Sequence, residues 1–158
     1  INEKLYNSSI GAYLHFDLRN NKNIPLVCSS SFSPLFCGAP NFKKAKRLKS
    51  TLVEKFGKED YYLCSSFDPE GIQHNQKKYW RGPVWINLNW ILYQGFKRYK
   101  FEETAKRIKN DSLELVDKFG FYEYFNPSKE NSKKNNKGYG GENFSWSAAL
   151  TIDFLHEK

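Results

Sequence analysis

Glu123 stands in the run Phe121-Tyr122-Glu123-Tyr124-Phe125-Asn126-Pro127, with two aromatic residues on either side of the carboxylate. A carboxylate held among aromatic rings suits chemistry in which a proton is taken from water in a partly dry cleft, as the general base of sugar hydrolysis does. The competing reading is a glutamate that pairs a lysine at the surface. A second run, Tyr79-Trp80-Arg81-Gly82-Pro83-Val84-Trp85, sets a tyrosine, an arginine and two tryptophans around a Gly-Pro step. Sugars are gripped by flat rings under their C–H faces and by planar donors to their hydroxyls. Tyr79, Trp80, Arg81 and Trp85 supply both. Core tryptophans beside a capping arginine would leave the same sequence. A third run, Gly138-Tyr139-Gly140-Gly141-Glu142-Asn143-Phe144-Ser145-Trp146, joins glycines that permit tight backbone over a ligand to the aromatic start of a helix. Glu142 in that run is a second candidate carboxylate, set in a lid.

Several chemistries are excluded on residue types. No Gly-Lys-Ser/Thr phosphate loop is present and no strand precedes the glycines, which argues against nucleotide binding. His15, His74 and His156 show no metal-ligand spacing and read as surface or satisfied core residues, so neither metal nor cofactor is expected. Cys28, Cys37 and Cys64 match no zinc or redox spacing and are odd in number. They read as free thiols of a reduced, cytoplasmic setting, with one disulfide and a leftover thiol as the alternative. The balance of 25 Lys+Arg against 17 Asp+Glu is basic, with clusters at 43–58, 97–109 and 129–137. Lysines greatly outnumber arginines, which suits solvated helix faces better than base readout, so no nucleic-acid partner is expected. No apolar run approaches the roughly 18 residues of a membrane span. An aromatic content of 17% excludes a disordered polar chain. Met is absent and the chain opens on Ile1, as an excerpt of a longer protein would.

The elements that must position these runs follow from periodicity. Residues 5–18 carry turn and strand chemistry for a short β-hairpin, 20–25 read as loop, and 31–37 as a short helix. Asn41 caps a helix running to Phe56 and ended by Gly57, with Ala45, Leu48, Leu52, Val53 and Phe56 on one stripe. Pro83 suits the first turn of a helix over 84–97 that is apolar nearly all round. A helix over 101–119 is amphipathic again and ends at Gly120. A helix over 144–155, capped by Asn143 or Ser145, is apolar almost all round. Half-wet helices therefore alternate with helices expected to be buried on every face. A double ring of helices, outer and inner, makes that alternation. The long connections, 57–82 and 120–143, both lead into inner helices and so share one side of the ring.

The combination of WRGPVW with YEYFNP, the glycine-rich run and FSWSAA resembles the C-terminal part of glycoside hydrolase family 63, which includes the mannosylglycerate hydrolase-like enzymes. FSPLFCG, before the first outer helix, is similar to that family as well. The resemblance implies an all-α fold in which residues 1–158 form the C-terminal portion of one (α/α)6-barrel catalytic domain. It implies an inverting glycosidase acting on an α-linked glucoside or mannoside, with Glu123 as general base. Tyr79, Trp80, Arg81 and Trp85 match the sugar-binding wall, with Tyr124 and Trp146 beside them. The family's general acid lies in an upstream Asp-Asn-Ser-Pro-type motif that is absent here. The implied partners are a carbohydrate and the remaining N-terminal part of the barrel. A trehalase-like glycosidase and a non-catalytic carbohydrate-binding helical module are the alternatives.

Overall fold

The computed structural model describes residues 1–130 and 138–157. Two antiparallel hairpins open the chain: β1 (Tyr6–Asn7) with β2 (Ala12–Tyr13), then β3 (Phe16–Asp17) with β4 (Lys22–Asn23). The second lies where sequence predicted loop. Its turn is made by Asp17, whose carboxylate accepts the backbone N–H of Arg19 at 2.9 Å and the Asn20 side-chain amide at 2.6 Å. A 3-10 helix, Ser29–Leu35, stands two residues earlier than the short helix expected at 31–37.

Helix α1 (Phe42–Phe56) starts on Asn41, whose side chain accepts the Lys44 N–H at 2.9 Å. Ala45, Leu48, Leu52 and Phe56 are fully buried, and the lysines take the outer face. Val53, expected on the buried stripe, is exposed, and Thr51 holds the inner position instead. The Thr51 hydroxyl sits 3.1 Å from the Gly11 carbonyl and so ties the first hairpin to α1.

Helices α2 (Ile86–Arg98) and α3 (Glu102–Phe119) are joined by a tight turn in which the Phe101 N–H reaches the Phe96 carbonyl at 3.0 Å. Helix α2 begins at Ile86 with Trp85 as its cap, so Pro83 precedes the helix rather than occupying its first turn. A last hairpin, β5 (Tyr124–Phe125) with β6 (Gly138–Tyr139), leads into α4 (Ser145–His156). Neither Asn143 nor Ser145 caps α4. Phe144 stands at the cap without a side-chain bond, and Asn143 adopts φ +55°. Ser147 instead anchors this end of α4 by donating to the Tyr122 carbonyl at 2.6 Å.

Burial only partly follows the expected alternation. Helices α1 and α3 are half exposed, as predicted. Helix α2 is largely enclosed, with Ile86, Asn89, Leu92, Tyr93, Gly95 and Phe96 buried, though Trp90 and Ile91 are only partly covered. The expectation that α4 is buried on all faces is overturned: only Ser147, Thr151 and Phe154 are buried, and Ile152 and Leu155 are 59% and 66% exposed. Helix α4 packs against α2 and α3 on one side. An all-apolar pattern says what a helix can bury, and the burial itself needs a neighbour on each flank.

The long connection between α1 and α2 is held by buried polar groups. Asn89 donates to the Leu63 carbonyl (3.1 Å) and the Ser112 hydroxyl (2.8 Å) and accepts from the Cys64 N–H (3.2 Å). Asp111 accepts from the Leu63 N–H at 2.7 Å, with Arg107 and Lys129 beside it at 3.6 and 3.5 Å. Isolated β-bridges then run Ser65 to Val84 and Val84 to Phe125. These place the two long connections on one side of the molecule, as predicted.

Candidate active site

Val84 and Phe125 set the geometry, because each is flanked by a candidate residue. Trp85 follows Val84, and Tyr124 and Glu123 precede Phe125. The result is a column of four rings. Trp80 stacks on Trp85 at 4.2 Å and 11°, Trp85 on Tyr124 at 4.9 Å and 24°, and Tyr124 on Tyr139 at 5.8 Å and 30°. Tyr79 stands edge-on to Trp80, Trp85 and Tyr124. The Trp85 indole N–H donates to the Tyr79 carbonyl at 3.0 Å and pins the run before α2 to the column.

The hydroxyl of Tyr79 donates to Oε1 of Glu123 in a short hydrogen bond. That bond to a carboxylate, with smaller contributions from burial and the charge of Glu123, pushes the Tyr79 phenol above its ordinary range. A second tyrosine–carboxylate pair is made by the same two runs: Tyr122 donates to Glu142 at 2.8 Å, and its phenol is raised for the same reason. Backbone bonds from Glu123 N to Gly141 O (3.2 Å) and from Phe144 N to Phe121 O (2.8 Å) lay residues 138–144 along 121–125.

The sequence-predicted residues divide by exposure. Tyr79 and Trp80 are 45% and 50% exposed and present free surface, whereas Trp85 is 1% exposed and forms the layer beneath them. Glu123 and Tyr124 are half-buried. Trp146 meets Trp85 at 6.1 Å and Phe144 at 4.9 Å, and its indole nitrogen is buried with no hydrogen-bond partner. Arg81 lies two residues beyond Tyr79, so its Cα is within about 7 Å of that tyrosine's. Its backbone closes a turn with Lys78 and Asn75. Among the described residues the guanidinium makes no hydrogen bond or ion pair with Glu123, and the carboxylate is met by Tyr79 instead. Sequence reasoning missed Tyr139 as the fourth ring. The signal was its place between two glycines, where a lone aromatic residue has backbone on both sides thin enough to lie flat.

The remaining polar candidates lie elsewhere. His74 does not fit the reading of a satisfied histidine: its Nε2 is buried without a partner, and burial lowers its pKa against the opposing charge of Asp68. His15 Nε2 is 3.3 Å from Cys28 Sγ. All three cysteines are free, and burial pushes the Cys64 thiol up. Among the described residues no three His, Cys, Asp or Glu side chains converge to hold a metal ion, and no helix is long and apolar enough to cross a membrane. The basic cluster on α1 is a wet helix face, with Lys46 over the Phe42 ring at 4.8 Å. In the 129–137 cluster, Lys133, Lys134 and Lys137 lie outside the described residues.

Residues 1–147 match the family model for the mannosylglycerate hydrolase MGH1-like glycoside hydrolase domain. The chain is 40% identical over 150 residues to the mannosylglycerate hydrolase of Thermus thermophilus, covering 95% of this chain and 34% of that protein. A solved structure of the glycoside hydrolase family 63 mannosylglycerate hydrolase from Thermus thermophilus in complex with glucose is similar at a TM-score of 0.87. It is 39% identical over 98% of this chain and 37% of that one. The neutral trehalase of Saccharomyces cerevisiae, at a TM-score of 0.73 and 16% identity over 98% of this chain and 28% of that one, shares the fold alone. The chain thus spans about a third of the length of the mannosylglycerate hydrolases it matches.

Proposed function

The chain belongs to the mannosylglycerate hydrolase MGH1-like glycoside hydrolase family, and from that premise we propose that it is the base-bearing part of an inverting glycoside hydrolase. Residues 1–158 are the C-terminal portion of one (α/α)6-barrel catalytic domain, in which α1 and α3 are outer helices and α2 and α4 inner ones. The open apolar flank of α4, with Ile152 and Leu155 outward, supports this: it is the surface that further helices of a closing ring would cover. The substrate is an α-glycoside of glyceric acid, mannosylglycerate first, as the name of the 40% identical relative suggests.

The observation that carries the reading is the Tyr79–Glu123 hydrogen bond beside the ring column. Tyr79 occupies one acceptor site on Oε1, and the lone pairs left on the carboxylate remain to accept a proton from water. Glu123 takes a proton from water, and the water oxygen attacks the anomeric carbon from the face opposite the glycosidic bond. The glycerate oxygen leaves with a proton supplied by an acid from the rest of the barrel. Trp80 lies under the C–H face of the sugar, while Tyr79 and Arg81 meet its hydroxyls. Trp85, Tyr124 and Trp146 hold these groups from behind.

The anomer formed first decides the mechanism. Full-length protein supplied with α-mannosylglycerate is expected to release β-mannose before mutarotation, read by proton NMR within the first minutes. Initial release of α-mannose would overturn inversion, and no turnover of mannosylglycerate or glucosylglycerate would overturn the substrate class.

A further inference from the structure

Residues 138–140 cross over 122–124 side chain by side chain. A Cβ on Gly138 would enter the Tyr122 ring, and Tyr139 stacks on Tyr124. Gly140, at φ +78°, lies flat along Glu123: a Cβ there would collide with Oε2 and would stand 2.7 Å from Glu123 Cβ and 3.1 Å from Cδ. One carboxylate oxygen is therefore bonded by Tyr79 and the other abuts bare backbone. With Oε2 backed by Gly140, the carboxylate cannot swing toward the crossing strand without displacing it.

We propose that Gly140 is a positioning residue, whose bare Cα is the wall that keeps the Glu123 carboxylate on the Tyr79 hydroxyl. This rests on the reading of Glu123 as the base. Any side chain at 140 displaces the carboxylate from Tyr79 and so misplaces the atom that takes the proton. A shift of about 1 Å in a reacting group is enough to cost on the order of 10²-fold in rate.

The test is Gly140→Ala in the full-length protein, with Gly120→Ala as control. Gly120 has φ +87° with nothing within 4 Å of its missing Cβ, so an alanine there carries backbone strain without a collision. Gly140→Ala is expected to lower kcat about 10²-fold with KM changed less than threefold, and Gly120→Ala to leave both unchanged. The second readout is the Tyr79 phenol, followed by NMR of ¹³Cζ-labelled tyrosine and assigned with Tyr79→Phe. Its raised titration should fall toward the ordinary tyrosine range in Gly140→Ala alone. An unmoved phenol, or equal effects of the two alanines, overturns the proposal. A moved phenol with unmoved kcat leaves the contact standing and overturns the base reading instead. If Gly140→Ala does not fold, the double variant with Glu123→Gly decides. Glycine at 123 removes Cβ and the carboxylate together, both of which a Cβ at 140 would meet, so the double variant should regain a cooperative unfolding transition. A double variant that stays unfolded while Gly120→Ala folds overturns the contact.

Discussion

Val84 and Phe125 exchange both of their backbone hydrogen bonds, at 2.8 and 2.9 Å, and this reciprocal bridge joins the two runs that carry the candidate residues. Strand neighbours on one bridged pair lie within contact distance of each other. Trp85 and Tyr124 therefore stack, and the column built on them extends outward to Trp80 and Tyr139. A fully hydrogen-bonded pair buried under an aromatic column resists local opening, which is what a site that must hold a carboxylate needs.

The column predicts that its two tryptophans fail differently. Trp80 is half exposed and Trp85 is not, so Trp80→Ala in the full-length protein should keep the fold and raise KM roughly tenfold, a loss of about 1.4 kcal/mol of binding. Trp85→Ala opens a core cavity and should cost about 3–5 kcal/mol of stability. Urea unfolding and steady-state kinetics on both variants check this. Equal KM effects with equal stabilities would show that neither ring is a platform.

Glu157 predicts an acid limb of stability. Burial acts to raise its pKa, but hydrogen bonds from Lys97, Gln94 and Tyr93 outweigh burial and hold the carboxyl at about 2. A folded value below the ordinary one means that the carboxylate stabilises the fold fully above about pH 4.5, and that this contribution is lost as pH falls toward 2. Glu157→Gln should lower Tm at pH 7 and flatten the fall of Tm between pH 4.5 and 2. Parallel pH profiles for the two proteins would assign the acid limb to other carboxylates.

Periodicity made some of the fold readable. Ala45, Leu48, Leu52 and Phe56, and Ala105, Ile108 and Leu115, repeat at helical spacing, and Asn41 is a strong cap, so α1 and α3 stand where the pattern put them. The exposed flank of α4 was not readable. Ile152 and Leu155 are apolar whether or not a neighbour is present, and sequence pattern carries the side chain but not the partner. The second hairpin hid in Asp17 and Asn20, because local side-chain-to-backbone bonds leave no hydrophobic alternation to detect. In the site, Glu123 and the Trp80–Trp85 pair stood out as charge among rings. The group that meets the carboxylate did not, because Arg81 draws attention by its charge while the hydroxyl of Tyr79 makes the bond. In sequence Gly140 is one of the glycines that permit tight backbone over a ligand, and only the folded chain places it against Glu123.

Glu123→Gln tests the assigned base. An inverting glycosidase needs one ionised carboxylate to take a proton from water, and an amide of the same shape cannot do so. The substituted amide would still accept the Tyr79 hydroxyl through its carbonyl oxygen, so the ring column and the sugar platform should persist. In the full-length protein this change is expected to lower turnover of mannosylglycerate by at least about 10²-fold, the lower end of what general base catalysis contributes. Ligand binding, measured separately by calorimetry, should stay within a few-fold of wild type. Turnover close to wild type would move the base elsewhere, with Glu142 on the Tyr122 hydroxyl as the next candidate. Loss of both turnover and fold would make Glu123 a structural anchor of the β5–β6 crossing. Glu142→Gln separates these outcomes. With Glu123 as base, it should leave kcat within about threefold of wild type, because the Glu142 carboxylate is exposed and lies on a tyrosine away from the ring column.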